Sequence, residues 1–513
     1  MRYPGAHLAE NAGKTAVAMS DGGASWTYAE LDAFAVRTAR ALRDLGVQVG
    51  DHVALCVENR LEALGLHWGA HYAGTYYTPI STRLTPEEIG YILDNCAAKV
   101  VFVSDRTAAA VLAAPVAGGG PVVVTLDGPQ PGARQLEPLL AAQSAEPLED
   151  PVDGSDLLYS SGTTGHPKGI ETELPGTALG TTNVLADLLA AFFGFGPDSV
   201  YISPAPYYHA APFRYCFAVT AIGGTVVMMP RFEAEAALAA IERHRVTHSQ
   251  WVPTMLLRML RLPDELRSRY DLSSHRVAVH AAAPMPVPAK RALIEWWGPI
   301  VHEYYASSEG AGMCHCSSED WLRHPGTVGR AVFGELQIRS PTGELLGPGE
   351  DGLVCFAGGR PFAYHEDPEK TAEAYLLPGV ATVGDIGHVD EDGYLFLTDR
   401  QSNMIITGGV NVYPQEAENV LAVHPKVADV AVIGVPNDDF GEEVRGVVRL
   451  HDGETGTPEL AAELIAYTRE HLADVKCPRR IDFRDELPRE PSGKLIKRRL
   501  RDEYWARRAE RIG

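Results

Sequence analysis

The chain has 513 residues, 45% of them hydrophobic and 22% charged, which is enough apolar sequence to bury several cores and too much for a disordered chain. Its 45 basic and 67 acidic residues give a formal charge of −22, the wrong sign for a whole-chain binder of nucleic acid or anionic membrane. The stretch from Lys476 onward breaks that balance, with thirteen basic and seven acidic residues, a net +6 on an acidic body.

Helix and strand signals alternate over the first hundred residues. Thr27 and Glu30 form a capping box, with Leu31, Phe34, Leu42 and Leu45 following at helical spacing until Gly46. His52 to Val57 predicts a buried strand. Thr85, Pro86 and Glu88 predict a second helix start, and Val100 to Val103 another strand. Residues 105 to 155, rich in Ala, Gly and Pro, predict weakly ordered connections around one strand at Val122 to Leu126. Alternation resumes from Asp156 to about Tyr305, and such alternation favours layered α/β structure with parallel sheet. The most apolar stretch, Val184 to Phe195, is broken by Asp187 and too short to span a bilayer. Between Gly334 and Leu397, short strands separated by Gly-rich turns predict a β-rich subdomain. An α+β pattern follows: strand 404–407, helix 414–424, strands 428–435 and 443–450, helix 458–473. The expected fold is therefore α/β, with a large N-terminal domain over 1–399 and a small C-terminal domain over 400–513. The boundary falls near 399–403.

Seven scattered cysteines, at 56, 96, 216, 314, 316, 355 and 477, predict reduced thiols rather than a disulfide framework. Cys314 and Cys316 alone make a poor zinc site. The opening residues lack the apolar core of a signal peptide, so a cytoplasmic protein without a transmembrane segment is expected.

The segment Tyr159-Ser-Ser-Gly-Thr-Thr-Gly-His-Pro-Lys-Gly169 follows a predicted strand, Asp156 to Tyr159. Its glycines free the backbone to wrap an anion, its hydroxyls donate hydrogen bonds, and Lys168 adds a point charge. These are the needs of a polyphosphate cradle, although Pro167 and Gly169 flanking the lysine rule out a Walker A loop. The segment resembles the phosphate loop of the adenylate-forming superfamily: acyl- and aryl-CoA synthetases, peptide adenylation domains and beetle luciferases. Four more stretches match that family in its order. Tyr304-Tyr305-Ala306-Ser307-Ser308-Glu309 is similar to its Tyr-Gly-x-Thr-Glu. Val383-Gly384-Asp385 with Asp399-Arg400, the Gly408-Gly409 turn, and Pro488 to Lys494 complete the set.

The resemblance implies roles residue by residue. Ser160, Ser161, Gly162, Thr163, Thr164, Gly165 and Lys168 would hold ATP phosphates. Ala282, Tyr305, Ala306, Ser308, Asp385 and Arg400 would hold the rest of the nucleotide. Glu309, with Thr164, would hold Mg²⁺. Gly408 and Gly409 would line a coenzyme A channel, and Ser402 would be the hinge of a mobile C-terminal domain. Lys494 would be catalytic, with His209 between acid and α-phosphate. Phe213, Trp251, Ala281 and Ala306 would line the acyl pocket. Here Ala306 and Ser402 depart from the family pattern, which usually has glycine and Asp or Lys.

The implied activity is an ATP-dependent acid–CoA ligase for a bulky or long hydrophobic acid, working through an acyl-AMP. A stand-alone enzyme loading a carrier protein and a non-catalytic nucleotide-binding relative are the alternatives. Small-molecule acid, ATP and coenzyme A are the expected partners, with nucleic acid excluded and a homodimer left open.

Overall fold

The computed structural model describes residues 2–160, 167–181, 183–437, 439–489 and 495–512, with 160, 411 and 507–512 described by backbone alone. Two compact units form. One comprises Met1–Trp251, Arg261–Val279 and Pro361–Ala372, and the other Val252–Leu260, His280–Arg360 and Glu373–Gly513.

In the first unit, both predicted capping boxes are present. Thr27 and Glu30 exchange bonds at the start of helix Tyr28–Asp44, and Thr85 and Glu88 do so at Pro86–Asn95. Each box satisfies two backbone N–H groups that a helix end leaves open. The β-branched runs form an all-parallel sheet in the spatial order Arg134–Gln135, Val122–Thr125, Val100–Val103, His52–Cys56, Tyr76–Pro79, Ser155–Asp156. Ile89, Ile92, Leu93 and Val111 pack against its face. A second parallel set joins Thr15–Met19, Thr225–Met228, Val200–Ser203 and His248–Trp251.

Two expectations need correction here. Residues 105–155 are more regular than their composition suggests, forming helices Asp105–Leu112 and Leu136–Ala141 and strand Arg134–Gln135. Alanine is the best helix former, and Ala108 and Val111 have a core to bury against, so low complexity did not mean disorder. The strand expected at Asp156 to Tyr159 is two strands. Ser155–Asp156 closes the parallel sheet, while Leu158–Ser160 pairs antiparallel with Lys168–Glu171.

In the second unit, strands Val301–Ala306, Met313–Cys316 and Arg330–Phe333 run antiparallel. The expected β-rich part is a five-stranded antiparallel sheet built on Gly352–Ala357 and Val380–Val389, with Leu395–Arg400 at one side. After it come Ile405–Thr407, Val410–Val412, helix Pro414–Leu421, the long hairpin Val427–Asn437 and Gly441–Leu450, helix Pro458–His471 and strand Arg480–Phe483. This is the predicted α+β order, with an apolar core of Ile405, Leu421, Val432, Val448 and Leu464. All seven cysteines are buried free thiols. Among the described residues no helix is long and apolar enough to cross a membrane.

Candidate active site

In the first unit, Lys168 opens strand Lys168–Glu171 opposite Ser160, so the lysine leaves the phosphate-type loop from a fixed hairpin base rather than from loop. Its ammonium stands 4.7 Å from the Tyr364 ring centroid, a cation–π contact that steadies a long side chain. A β-carbon on Gly169 would meet the Tyr159 ring at 3.1 Å and His365 at 3.2 Å, which explains a glycine after the lysine. The Tyr159 hydroxyl donates to Asn95 Oδ1 (2.5 Å), and His365 bridges Asn95 O (3.0 Å) and Glu171 (2.5 Å). Ser161, Gly162, Thr163, Thr164 and Gly165 lie outside the described residues, as does Lys494.

His209 occupies the N-cap of helix Ala210–Ile222, its carbonyl accepting from Phe213 N (3.0 Å), and its ring lies 4.6 Å from that of Tyr208. One turn on, Phe213 is fully buried and stacks on His67, with centroids 3.8 Å apart and planes 8° apart. His67 in turn hydrogen-bonds the Tyr207 hydroxyl at 2.8 Å. Trp251 is also fully buried, its indole N–H donating to Ser249 Oγ at 2.5 Å. Sequence reading passed over His67, one of two histidines on the largely buried Leu61–Tyr72 helix.

The second unit brings together three residues from separate motifs. Tyr305 ends strand Val301–Ala306, Asp385 lies mid-strand in Val380–Val389, and Arg400 ends Leu395–Arg400, directly across the ladder from Asp385. The Tyr305 hydroxyl donates to Asp385 Oδ2 at 2.6 Å, and Arg400 Nε lies 3.0 Å from Oδ1. Burial, then the Asp385 charge, push the Tyr305 phenol far above its ordinary value, so it stays a donor. The product is a buried carboxylate, fixed from both sides, with lone pairs left for two further hydroxyl donors.

Tyr305, Ser307, Gly312 and Phe356 line a cavity of about 10 Å³, room for roughly one water and not for an acyl chain. Ser308 and Glu309 are half-buried in the turn after the strand. Glu309 offers the hard oxygen that Mg²⁺ takes. Ala306 is exposed, and Ala281 is buried. Ala282 adopts φ +78°, the left-handed region, which glycine would occupy without strain.

Gly408 and Gly409 form the two-residue turn between Ile405–Thr407 and Val410–Val412 with φ +57° and +80°. A turn with both central residues at positive φ asks for glycine on its own account, independent of any ligand. Ser402 lies in a short 3₁₀ turn, Gln401–Asn403. Asp399, read from sequence only as the neighbour of Arg400, clasps this turn. Its carboxylate accepts from Asn403 Nδ2 (3.0 Å) and from Gln415 N (2.8 Å), the second residue of helix Pro414–Leu421.

The class of protein is shown by comparison with known families. The family model described as AMP-binding enzyme matches residues 6–362, and that of the AMP-binding enzyme C-terminal domain matches 416–494. A long-chain-fatty-acid–CoA ligase of Mycobacterium tuberculosis is 32% identical over 492 residues, covering 94% of this chain and 93% of the relative. A feruloyl-CoA synthase of an Amycolatopsis species is 33% identical over 495 residues, covering 95% and 96%. Among solved structures, ATP-bound MatB from Rhodopseudomonas palustris matches with a TM-score of 0.83 at 32% identity, covering 96% of both chains. The chain belongs to the AMP-binding enzyme family, whose acyl-CoA synthetases are acid–thiol ligases.

Proposed function

We propose that this enzyme activates a bulky or long hydrophobic carboxylic acid with ATP and transfers it to coenzyme A. The observation that carries the reading is the convergence of Tyr305, Arg400 and Asp385, three residues from separate motifs. The Asp385 carboxylate accepts the ribose hydroxyls, and the Tyr305 ring stacks on adenine. Lys168 and the hydroxyls of 160–164 hold the β- and γ-phosphates, and Ser308 donates to a phosphate oxygen. Glu309 and Thr164 would hold Mg²⁺, which would supply neutralisation of phosphate charge.

The substrate carboxylate attacks the α-phosphorus, and pyrophosphate leaves. His209 lies between the acid and the α-phosphate, and Lys494 stabilises the oxygens on which charge redistributes. No protein nucleophile takes part, so positioning and electrostatics supply most of the rate. The C-terminal domain, bounded near 399–403, then turns about Ser402. Lys494 withdraws and Gly408–Gly409 admit the coenzyme A thiol, whose sulfur attacks the acyl carbonyl as AMP leaves. Apolar Phe213, Trp251 and Ala281, together with relatives named for fatty and ferulic acids, support the acid class. A cytoplasmic setting suits the seven free thiols.

ATP–pyrophosphate exchange across a panel of acids, with and without coenzyme A, tests the proposal. Hydrophobic acids should exceed acetate and free amino acids by roughly tenfold or more in kcat/KM, and the reverse order would sink the acid class. Lys494→Ala should lose about a hundredfold or more of adenylation while converting supplied acyl-AMP to thioester normally. Loss of neither half-reaction would refute the lysine's role.

A further inference from the structure

Helix Val287–Trp297 carries a lysine on its buried side. Lys290 is 1% exposed and shares that side with Leu293 and Ile294. Its ammonium donates to Oε2 of Glu303, which is 6% exposed in strand Val301–Ala306. His280 Nε2 lies 3.6 Å from the same oxygen. His280 is fully enclosed, and among the described residues neither ring nitrogen has a hydrogen-bond partner. Trp321 covers the ammonium with its ring centroid 5.2 Å away. Burial and then the Lys290 charge push the imidazole well down, so His280 is neutral beside the pair.

A buried ion pair is a poor source of stability. Removing two charges from water costs about what their attraction returns, and apolar side chains of similar volume would join helix to strand as well. What the charges add is one defined separation, where apolar contacts tolerate sliding. That definition falls close to the site. Side chains two apart on a strand share a face, so Glu303 and Tyr305 project to the same side one pleat repeat apart.

The strand is pinned at three points along its length. At its start, Ser318 Oγ donates to Val301 O (2.6 Å) and accepts from Val301 N (3.0 Å). Glu303 holds the middle and Tyr305 the end, through Asp385. His280 immediately precedes the Ala281–Ala283 loop, in which Ala282 is held at positive φ.

We propose that Lys290 and Glu303, with His280 packed against them, are positioning residues for the nucleotide. They fix the height and tilt of the Val301–Ala306 strand so that the Tyr305 hydroxyl meets Asp385, and they seat the 281–283 loop beside it. The inference rests on the reading of Tyr305 and Asp385 as nucleotide-binding. Neither Lys290 nor Glu303 was singled out from the sequence.

The decisive variant is Lys290→Met combined with Glu303→Met, which replaces the pair by apolar groups of similar volume. Calorimetric titration of the full chain with Mg-ATP, thermal unfolding, and ATP–pyrophosphate exchange are the readouts. The double variant should melt above the Lys290→Met single variant, which strands a buried carboxylate. It should nevertheless bind ATP roughly tenfold or more weakly, with kcat at saturating ATP within about threefold of wild type. Wild-type ATP affinity in the folded double variant would overturn the proposal, because a merely structural pair would be fully replaced. Should the double variant fail to fold, Glu303→Gln is read by the same affinity criterion. Tyr305→Ala reports on the site itself. If it binds ATP like wild type, the nucleotide reading fails, whatever the clamp variants do.

Discussion

At the scale of single residues, the site combines economy with one strained position. Asp385 needs no charged partner other than Arg400, because the Tyr305 hydroxyl completes its fixation. The strained residue is Ala282 at φ +78°, a conformation in which the β-carbon of an L-residue crowds the backbone. Ala282→Gly should therefore stabilise the fold by about 0.5–1 kcal/mol despite glycine's greater freedom when unfolded. Urea unfolding checks this, and a destabilisation of similar size would mean that the methyl group packs usefully. Ala282 entered the sequence reading only as an expected nucleotide contact. Its left-handed backbone was invisible there, because φ depends on how the loop leaves the sheet.

At the scale of elements, the turn that follows the Leu395–Arg400 strand is tied down more firmly than a free hinge. Asp399 is 9% exposed and bonds Arg400 N, Asn403 Nδ2 and Gln415 N, linking strand, 3₁₀ turn and the start of helix Pro414–Leu421. A carboxylate at a helix N-terminus is favoured by the orphan N–H groups and the helix dipole. Asp399→Ala should cost roughly 1–2 kcal/mol and alter the ratio of adenylation to thioester-forming rates, since the latch flanks Ser402. Measuring both half-reactions separately checks it, and an unchanged ratio with lowered stability would reduce Asp399 to a helix cap. Sequence placed the elements on both sides of this latch to within a few residues. It could not show the bonds, because residues 399 and 415 meet only when the intervening hairpin folds back.

At the scale of the whole molecule, electrostatics takes two forms. Five of the thirteen basic residues from Lys476 onward pair with acids of their own unit: Lys476 with Glu416 (2.8 Å), Arg484 with Glu503 (2.6 Å), Arg489 with Asp429 (2.5 Å), Lys497 with Glu418 (2.9 Å) and Arg501 with Glu442 (2.9 Å). Part of the net +6 is thus offset by pairing within the unit.

The second form is a set of histidines buried neutral. Burial is the first cause in each case, lowering His248 to about 4 and His275 to about 3, with His67 and His280 well below the ordinary range. A group whose pKa is lower in the folded state binds more protons when unfolded, so its stabilisation is complete above pH about 6.5 and is lost as pH falls toward the folded value. His248 alone should account for roughly 3 kcal/mol between pH about 6.5 and 4. Unfolding free energies measured by urea titration at several pH values across that window should decline steadily. A flat profile would show that these histidines are not buried neutral.

The sequence by itself determined both capping boxes, the β-rich segment and the α+β C-terminal pattern, which follow from local rules, namely hydrophobic period, cap chemistry and glycine spacing, that act over a few residues. Tyr305, Asp385 and Arg400 were singled out instead by resemblance to a family's motifs. The local rules misjudged 105–155 and the strand near 156 because burial partners far along the chain decide whether a weak segment orders and which sheet it joins. Only the tertiary structure decided that the Tyr305 hydroxyl fixes Asp385, that Asp399 clasps the turn at Ser402, and that Lys290 and Glu303 pair beside the Tyr305 strand. The Lys290–Glu303, Asp399–Gln415 and Tyr305–Asp385 bonds join residues 13, 16 and 80 positions apart, and no local pattern encodes a distance of that kind.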